Sequence, residues 1–434
     1  MAANMQGLTP LQDAQKIVLD AAHPLGLEKI GLLEVLGRVL GEDIVAQRDN
    51  PPWDNSAMDG FAVRHEDIKQ EHAIGKAVTL TVIEDVPAGK MATKTVGPGQ
   101  AIRIMTGAPV PKGADTVLKV EDTEHTPDSV KVFKPEPRGS NIRSQGEDVK
   151  KGECIIAKGT QIRPGEAGML AILAKSFVFV YQRPRVAILS TGDELADLDE
   201  RFSEEKIINS NSWGIAAAVQ EAGGVPFLLG IAKDNPAALK EKIMHGLNAD
   251  ILVLSGGVSM GDYDFTKAVF KDLGAEMHFW KLAIRPGQPL AFGKIQGRLA
   301  FGLPGNPVSS MVTFEQLVRP AMLKMGGHRS YGRPVVQAQF QEKFSKRTDR
   351  RHFLRGVLTR EGGIFKVRTT GDQGSGILTS MVKANCLIDI PQDVEKLNPG
   401  DTVTVQILSA ALWDRTPVNR ESLNVKRADG GCCD

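Results

Sequence analysis

The period of the hydrophobic pattern changes several times along the chain, and each period predicts a different kind of element. Apolar residues recur every three or four positions over residues 9–40, which predicts two amphipathic helices. Short β-rich runs between glycine and proline turns predict a small, mostly β domain at residues 49–140. Residues 166–174 are again helical in pattern. We therefore expect residues 141–181 to pack with residues 1–48 as one discontinuous helical and extended linker domain.

After Arg183-Pro184, continuous apolar runs alternate with amphipathic ones. Three apolar runs have the length of buried strands, namely 185–190, 225–230 and 251–254. Each precedes a run with helical spacing, namely 213–221, 237–246 and 265–273. This order predicts a mostly parallel α/β sheet with helices on both faces, in a domain at residues 182–326. Two more strands and a helix complete it, at 290–294, 299–303 and 311–325.

The last part of the chain has a shorter period. Residues 327–411 contain alternating apolar and polar runs, which predicts a separate C-terminal β domain with a barrel-like sheet. Residues 412–434 are polar without a period, so we expect a disordered tail.

Candidate chemistry is concentrated at the carboxyl ends of the predicted parallel strands, where such sheets bind ligands. Ser255-Gly256-Gly257 ends one strand abruptly, and glycine turns of this kind let N–H groups approach an anion. Acids follow three separate strands: Glu194, Asp234, Asp262 and Asp264. Carboxylates repel phosphate, so their natural use beside it is to hold a hard cation, most simply Mg²⁺. The alternative is structural, with glycine turns and aspartate helix caps.

Other loops carry similar alternatives. Lys281 and Arg285 are cations that an anionic ligand needs, or solvated charges on a strand edge. The turn at residues 304–309, before a helix, is a second candidate anion site or a plain helix start. The loops at residues 54–60 and 138–148 combine acids, amides and arginines, and are either ligand loops or Asx turns and linkers.

Composition narrows the possible functions. The 434 residues are 41% hydrophobic and 24% charged, with 53 basic and 52 acidic residues and a net charge of +1. We therefore expect several domains, and no overall field that favours nucleic acid or an anionic membrane. Apolar runs fall short of the ~20 residues of a membrane span, and the N-terminal pattern is not that of a signal peptide, so we expect a cytoplasmic protein. The four cysteines lack metal-finger spacing and are expected to be free thiols.

Seven motifs occur in the order found in the molybdopterin molybdenumtransferases, the MoeA family to which the gephyrin E domain belongs, and the resemblance spans residues 5–411. These motifs are DNSAMDG (54–60), RIMTG (103–107), GED (146–148), STGDEL (190–195), SGGVS (255–259), FWKLAIRPG (279–287) and GLPGNPVS (302–309).

The resemblance implies four domains, the central one with a molybdopterin-binding fold, in an elongated homodimer whose active site is shared between subunits. It also implies the last step of molybdenum cofactor synthesis, in which molybdate and adenylylated molybdopterin give the cofactor and AMP with Mg²⁺. A molybdopterin adenylyltransferase and molybdoenzyme chaperones are candidate partners.

The same resemblance assigns site residues. Those implied in catalysis are Asp59, Thr106, Asp148, Glu194, Asp234, Asp264, Lys281 and Arg285. Those implied in metal binding are Glu194, Asp234 and Asp264, with Asp262 as second choice. Those implied in substrate binding are Thr191, Gly192, Ser255, Gly256, Gly257, Ser259, Pro304, Gly305, Asn306, Pro307, Ser309, Arg355 and Ser375. Asp59, Thr106 and Asp148 match positions that face the cleft from the other subunit.

The chain departs from the motif at two positions. Where the motif often carries lysines, it has Arg285 and Gln288, so a positive charge is kept at the first position and lost at the second. We expect molybdate binding to be weaker or differently shaped. Three other functions remain: a molybdopterin adenylyltransferase, a tungstate-inserting relative, and a non-enzymatic scaffold.

Overall fold

The computed structural model describes residues 7–72, 77–87, 89–200, 204–257 and 263–409. The chain divides into two compact units, Glu28–Val180 and a second that joins Met1–Leu27 to Tyr181–Asp434. No helix among the described residues is both long and apolar enough to cross a membrane.

The unit Glu28–Val180 is mostly β, as predicted for residues 49–140. The opening helix of the chain, α1 (Leu11–Ala21), precedes this unit. The helices of the unit are α2 (His65–His72) and α3 (Pro164–Ile172). Its strands are β1 (Leu27–Gly31), β2 (Ile44–Val45), β3 (Asn55–Ser56), β4 (Gly60–Val63), β5 (Val78–Val86), β6 (Gln100–Ile104), β7 (Thr116–Lys119), β8 (Thr123–His125), β9 (Ser129–Val132), β10 (Ile142–Arg143), β11 (Cys154–Ile156) and β12 (Phe177–Tyr181).

A six-stranded sheet in the order β7-β4-β6-β5-β9-β8 dominates this unit. Strand β4 lies between two others, and the close approach of β7 explains the glycine that begins it. A Cβ added to Gly60 would lie 1.7 Å from the carbonyl oxygen of Leu118. Consecutive residues of β4 point to opposite faces, so Phe61 and Ala62 belong to different hydrophobic clusters.

Of the two helices predicted at residues 9–40, the prediction of the second is wrong. Leu27–Gly31 forms strand β1, which pairs with β12, and only a short 3₁₀ turn follows at Leu32–Glu34. Leu33 and Leu36, which were expected on a buried helix face, are exposed. Pairing with β12 satisfies the backbone groups on one edge of β1, and Gly37, with φ +75°, interrupts the helical pattern beyond it.

Helix α1 also packs elsewhere than expected. Its buried face, with Leu11, Ala14 and Val18, belongs to the core of the α/β sheet and not to that of residues 141–181. Residues 28–48 do contact the later segment, since β2 pairs with β11 and Leu40 bridges Val180. Periodicity alone could not distinguish these partners, because both cores accept an amphipathic helix.

The second unit contains the predicted α/β domain. Its strands are β13 (Arg185–Thr191), β14 (Leu195–Ala196), β15 (Ile207–Ile208), β16 (Val225–Ala232), β17 (Ile251–Ser255), β18 (Glu276–Lys281), β19 (Ile284–Arg285), β20 (Pro289–Ile295) and β21 (Arg298–Leu303). Its helices are α4 (Ser210–Glu221), α5 (Pro236–Gly246), α6 (Tyr263–Asp272), α7 (Pro307–Thr313) and α8 (Arg319–Met325), with a π-helical segment Phe314–Val318 between the last two.

The main sheet has the order β16-β13-β17-β21-β20-β18. The first four strands are parallel to one another, and β20 pairs antiparallel with both β21 and β18. Only β20 therefore runs against the other five strands, which confirms a mostly parallel sheet. Val186 and Ile188 of β13 face one hydrophobic cluster, whereas Ala187 and Leu189 face the other. Because both faces are covered, every residue of the central strand β17 is buried, which explains its continuous apolar sequence.

The helix predicted at residues 311–325 begins four residues earlier and is interrupted by the π-helical segment. Pro320 has no N–H to donate to the carbonyl of Gln316, four residues back. That carbonyl instead accepts a hydrogen bond from the Nε2 of Gln15 on α1, at 3.1 Å. A side chain of the opening helix thus donates to a carbonyl that the proline deprives of its usual donor four residues ahead.

The C-terminal part is a β-barrel with one small helix, α9 (Leu378–Lys383). Its strands are β22 (Val335–Phe340), β23 (Phe344–Ser345), β24 (Arg351–Glu361), β25 (Ile364–Thr369), β26 (Cys386–Ile390), β27 (Lys396–Leu397) and β28 (Thr402–Ile407). The strands β24-β25-β22-β28-β26 close into a five-stranded barrel, because β24 also pairs with β26. Strand β19 of the α/β domain pairs in parallel with β24 and places Arg285 opposite His352.

Candidate active site

A cavity of about 490 Å³ lies at the carboxyl ends of the parallel strands, where the sequence predicted a ligand site. It brings together ten of the predicted site residues. They are Thr191, Gly192, Glu194, Asp234, Ser255, Gly256, Gly257, Gly305, Asn306 and Pro307.

The glycine turn after β17 packs its backbone directly against Thr191. Gly257 has φ +65°, and a Cβ added there would lie 2.7 Å from the Thr191 Oγ1. The amide of Gly256 donates to the carbonyl of Leu303 at 3.1 Å, so this N–H is already used and does not serve the predicted anion cradle. The Thr191 Oγ1 is buried and has no hydrogen-bond partner among the described residues. A buried hydroxyl without a partner is costly, which favours a ligand at this position.

Two of the predicted acids line the cavity with exposed side chains, Glu194 and Asp234. The loop of Asp234 is tied to that of Asp193 by reciprocal contacts: the amide of Asp234 donates to Asp193 Oδ1 at 3.2 Å, and the amide of Asp193 to Asp234 Oδ2 at 3.4 Å. The Glu194 carboxylate lies over Gly192, where an added Cβ would meet both of its oxygens at 2.5 Å. A side chain at Gly192 would therefore displace this carboxylate.

Three predicted residues fall outside this description. Asp262 and Ser259 are not among the described residues, and Asp264 is described only as the second residue of α6, without its side chain. Within the described part of the chain, no group of three or more histidine, cysteine, aspartate or glutamate side chains is placed to hold a metal ion.

Asn211 is a site residue that the sequence analysis missed. Its Nδ2 donates to the Ser255 Oγ at 2.8 Å and to the carbonyl of Gly305 at 2.7 Å, which links the two turns that form the cavity. Asn209, two residues earlier, caps the same helix, because its side chain accepts a hydrogen bond from the amide of Ser212. One feature of the sequence could have indicated Asn211. It is a second asparagine beside the cap residue Asn209, in the first turn of α4, and this turn lies at the carboxyl ends of the parallel strands.

The turn before α7 does not offer all the free amides that were expected. The amide of Val308 donates to the carbonyl of Ser375 at 3.1 Å, and that of Ser310 donates to Asn306 at 2.9 Å. Pro304 and Ser309 are buried and do not line the cavity. The turn instead connects the first cavity to the loop of Ser375.

A second cavity, of about 600 Å³, lies between β19 and the barrel. Five cationic side chains line it, against two acids, Asp349 and Asp372. The cations are Arg285, Lys346, Arg347, Arg350 and Arg355. This local excess of positive charge suits a small anion. The other predicted cation, Lys281, is half-buried at the end of β18 and does not line either cavity.

Arg355 is the most buried of these cations, with 1% of its surface exposed. Its guanidinium donates to the Ser380 Oγ at 3.0 Å and to the carbonyl of Gly374 at 3.2 Å, and the described residues give it no salt bridge. Burial lowers the pKa of Arg355 to about 10, although Asp372 opposes this. A buried cation with neutral partners favours a bound anion.

The unit Glu28–Val180 carries the remaining predicted residues on its surface. The amide and the Oγ1 of Thr106 both donate to Asp59 Oδ1 at 2.7 Å, and these bonds lower the pKa of Asp59. The Asn50 Nδ2 donates to Asp148 Oδ2 at 2.9 Å. Asp59 is therefore held as a carboxylate in a fixed position.

Comparison with known proteins places this architecture in one class. Residues 9–174 match the MoeA N-terminal region (domain I and II), residues 187–324 match a probable molybdopterin-binding domain, and residues 337–408 match the MoeA C-terminal region (domain IV). The α/β domain with the first cavity is thus of the molybdopterin-binding class.

Relatives match over nearly the whole chain. The molybdopterin molybdenumtransferase of Haemophilus influenzae is 36% identical over 92% of this chain and 98% of its own length. That of Nostoc sp. is 37% identical over 87% of this chain and 88% of its own. The crystal structure of the molybdopterin biosynthesis moeA protein from Pyrococcus horikoshii superposes with a TM-score of 0.80 at 35% identity, covering 92% of this chain and 100% of that one.

The chain belongs to the molybdopterin molybdenumtransferase family. This confirms the resemblance drawn from the seven motifs and the interpretation of the chain as an enzyme in molybdenum cofactor biosynthesis.

Proposed function

We propose that the chain inserts molybdenum from molybdate into adenylylated molybdopterin, in a Mg²⁺-dependent reaction that releases AMP and gives molybdenum cofactor. The observation that carries the proposal is the pair of cavities that lie in one unit. One is lined by glycine turns and carboxylates, and the other by arginines. Pro307 lines the first cavity and Gly374 the second, and the residues that follow them are hydrogen-bonded, from the amide of Val308 to the carbonyl of Ser375. A pyrophosphate-linked substrate and an oxyanion would therefore bind close to one another.

The first cavity fits a hard cation by the chemistry of its donors. Glu194 and Asp234 present exposed carboxylates, and the Thr191 hydroxyl beside them is buried without a partner. Oxygen donors of this kind are those that Mg²⁺ prefers, so these residues, with Asp264 as the family resemblance implies, would hold it. When bound, Mg²⁺ neutralises the charge of the pyrophosphate.

The remaining chemistry belongs to the side chains. The small residues Gly192, Gly256 and Gly257 let the substrate approach the backbone, and Asn211 ties together the two turns on either side of it. In the second cavity, Arg285 and the buried Arg355 would attract and orient molybdate.

We further propose that the protein is a cytoplasmic homodimer in which Asp59, Thr106 and Asp148 complete the active site of the partner. Two features of the unit Glu28–Val180 support this. Its surface exposes large apolar side chains, among them Leu33, Leu36, Phe177 and Phe179, and such side chains are common at surfaces through which subunits associate. Asp59 is also fixed by Thr106 although it is exposed.

The direct test supplies the purified protein with adenylylated molybdopterin, molybdate and Mg²⁺. We expect AMP release and a product that activates a cofactor-free molybdoenzyme. Asp234→Asn should abolish both, whereas Glu361→Gln, at an exposed position on the far end of β24, should change neither. Absence of AMP would refute the proposal, and consumption of ATP in place of the adenylylated substrate would identify an adenylyltransferase. Replacing molybdate with tungstate identifies the preferred oxyanion.

A further inference from the structure

Gln288 and Arg350 form a contact that bears on the lost positive charge of the motif. The Nη1 of Arg350 donates to Gln288 Oε1 at 2.6 Å. Gln288 is itself fixed, because its carbonyl accepts from the amide of Leu282 at 2.8 Å. The guanidinium of Arg350, from the C-terminal domain, therefore lies against the end of the Gln288 side chain. Position 288 is the one at which the motif often carries a lysine.

Arg350 is also held at its other end. The ammonium of Lys346, 9% exposed as a residue, donates to the carbonyls of Arg350 at 3.1 Å, of Gln392 at 2.8 Å and of Arg347 at 3.4 Å. All three ammonium protons thus have carbonyl acceptors. Lys346 therefore acts as a clamp on the loop that carries Arg350, while Gln288 orients its side chain.

The remaining donors of Arg350 suit an oxyanion. Its Nε and Nη2 contact Asp349 Oδ2 at 3.1 and 3.0 Å, and its Nη1 contacts Gln288, which accounts for three of the five N–H groups. Within the described ranges two N–H groups remain without an acceptor, on a side chain that is 21% exposed and lines the second cavity together with Arg285 and Arg355. A planar guanidinium can bind two oxygens of a tetrahedral anion, which a lysine cannot do in the same way.

We propose that Arg350, oriented by Gln288, supplies the second cation of the oxyanion cavity in place of a lysine at position 288. The cation is supplied by the barrel and not by the α/β domain, and the glutamine is its positioning residue. This inference rests on the proposed function, because it takes molybdate to be the anion of this cavity.

The test is a charge exchange measured by titration calorimetry with molybdate alone. Arg350→Gln should weaken molybdate binding about tenfold or more, because a charge-assisted contact is lost from a partly buried site. Gln288→Lys in the same chain should restore most of the affinity by returning the cation to its other position. Arg360→Gln, which removes one positive charge from the outer end of β24, is the matched control and should bind as the wild type does.

Turnover gives a second readout that a purely structural role would not produce. In Arg350→Gln the KM for molybdate should rise, with kcat nearly unchanged at saturating molybdate, and the double variant should reverse this. Equal binding by Arg350→Gln and Arg360→Gln would overturn the proposal, as would a double variant no better than Arg350→Gln. Thermal unfolding of each variant separates these outcomes from misfolding.

The outcomes also separate the two proposals. If the wild type binds no molybdate, the proposed function itself fails. If the wild type binds and consumes molybdate while Arg350→Gln does the same equally well, only the role of Arg350 fails. A parallel titration with AMP tests a nucleotide phosphate as the occupant, and a variant that loses AMP but not molybdate would overturn the proposal.

Discussion

The buried histidine of the cationic cavity makes stability depend on pH in a way that can be measured. His352 is 6% exposed, and its Nε2 is buried without a hydrogen-bond partner among the described residues. Burial, followed by the positive charges of Lys346 and Arg285, lowers the pKa of His352 from 6.5 to about 4. The folded state therefore holds this imidazole neutral over a range in which the unfolded chain protonates it.

The sign follows from proton linkage. Between pH 6.5 and pH 4 the unfolded state binds more protons at His352 than the folded state does, so stability falls as the pH is lowered through this window. A shift from 6.5 to about 4 corresponds to about 3 kcal/mol when complete, and to about 2 kcal/mol at pH 5. Above pH 7 the effect is absent.

The perturbation is His352→Asn, which keeps a small polar side chain and removes the titration. We expect the free energy of unfolding in urea to fall less between pH 7.5 and pH 5 in this variant than in the wild type, by about 2 kcal/mol. His278→Asn is the control, and it should retain the wild-type pH dependence. Identical pH dependence in His352→Asn and the wild type would refute the reasoning.

Bound molybdate adds a check on the same residue. An anion beside Arg285 and Lys346 offsets the charges that depress the pKa of His352, so molybdate should raise that pKa in a histidine NMR titration. No shift at saturating molybdate would place the anion elsewhere.

Three further predictions follow from the contacts. If the active site is shared, mixing inactive Asp59→Asn and Glu194→Gln homodimers should restore activity at about a quarter of the sites. Half of the dimers are then mixed, and each mixed dimer holds one intact site. No recovery of activity after confirmed subunit exchange would refute sharing. Asn211→Ala should lower kcat/KM about tenfold and the free energy of unfolding by about 1–2 kcal/mol, because Ser255 and Gly305 lose their common donor. Steady-state kinetics and urea unfolding measure these two effects. An unchanged kcat/KM would contradict the prediction. Gly60→Ala should destabilise the protein by about 3 kcal/mol or more, because its Cβ would meet the Leu118 carbonyl oxygen at 1.7 Å; wild-type urea unfolding would show that the strands separate at little cost.

The α/β sheet was the part of the fold most accessible from the sequence. Strand β17 has a continuous apolar run because both of its faces are covered, and Asn235 begins α5 by accepting from the amide of Ala238 at 2.8 Å. The same local signals failed at residues 27–34. There, apolar residues at helical spacing form a strand, because pairing with β12 outweighs the local pattern.

Short sequence motifs predicted the turns of the site, but they did not predict the hydrogen bonds that fix those turns. Glu194, Asp234 and Gly257 follow strands directly, so their common location is predictable from the topology of a parallel sheet. The use of the Val308 amide by Ser375 could not be predicted, because it depends on the docking of the barrel against the turn. Asn211 was missed for a related reason, since its two acceptors are 44 and 94 residues away in the chain.

What the sequence determined by itself is therefore local: buried strands, caps, glycine turns and the acids that follow them, each set by the preferences of a few adjacent residues. Tertiary structure alone decided where α1 packs and which group satisfies the Gln316 carbonyl. It also decided that Arg350 comes to lie against Gln288, 62 residues away, in the cavity of Arg285 and Arg355. Contacts of this kind bring together segments that are far apart in the chain, and they arise only when those segments pack against one another in the folded protein.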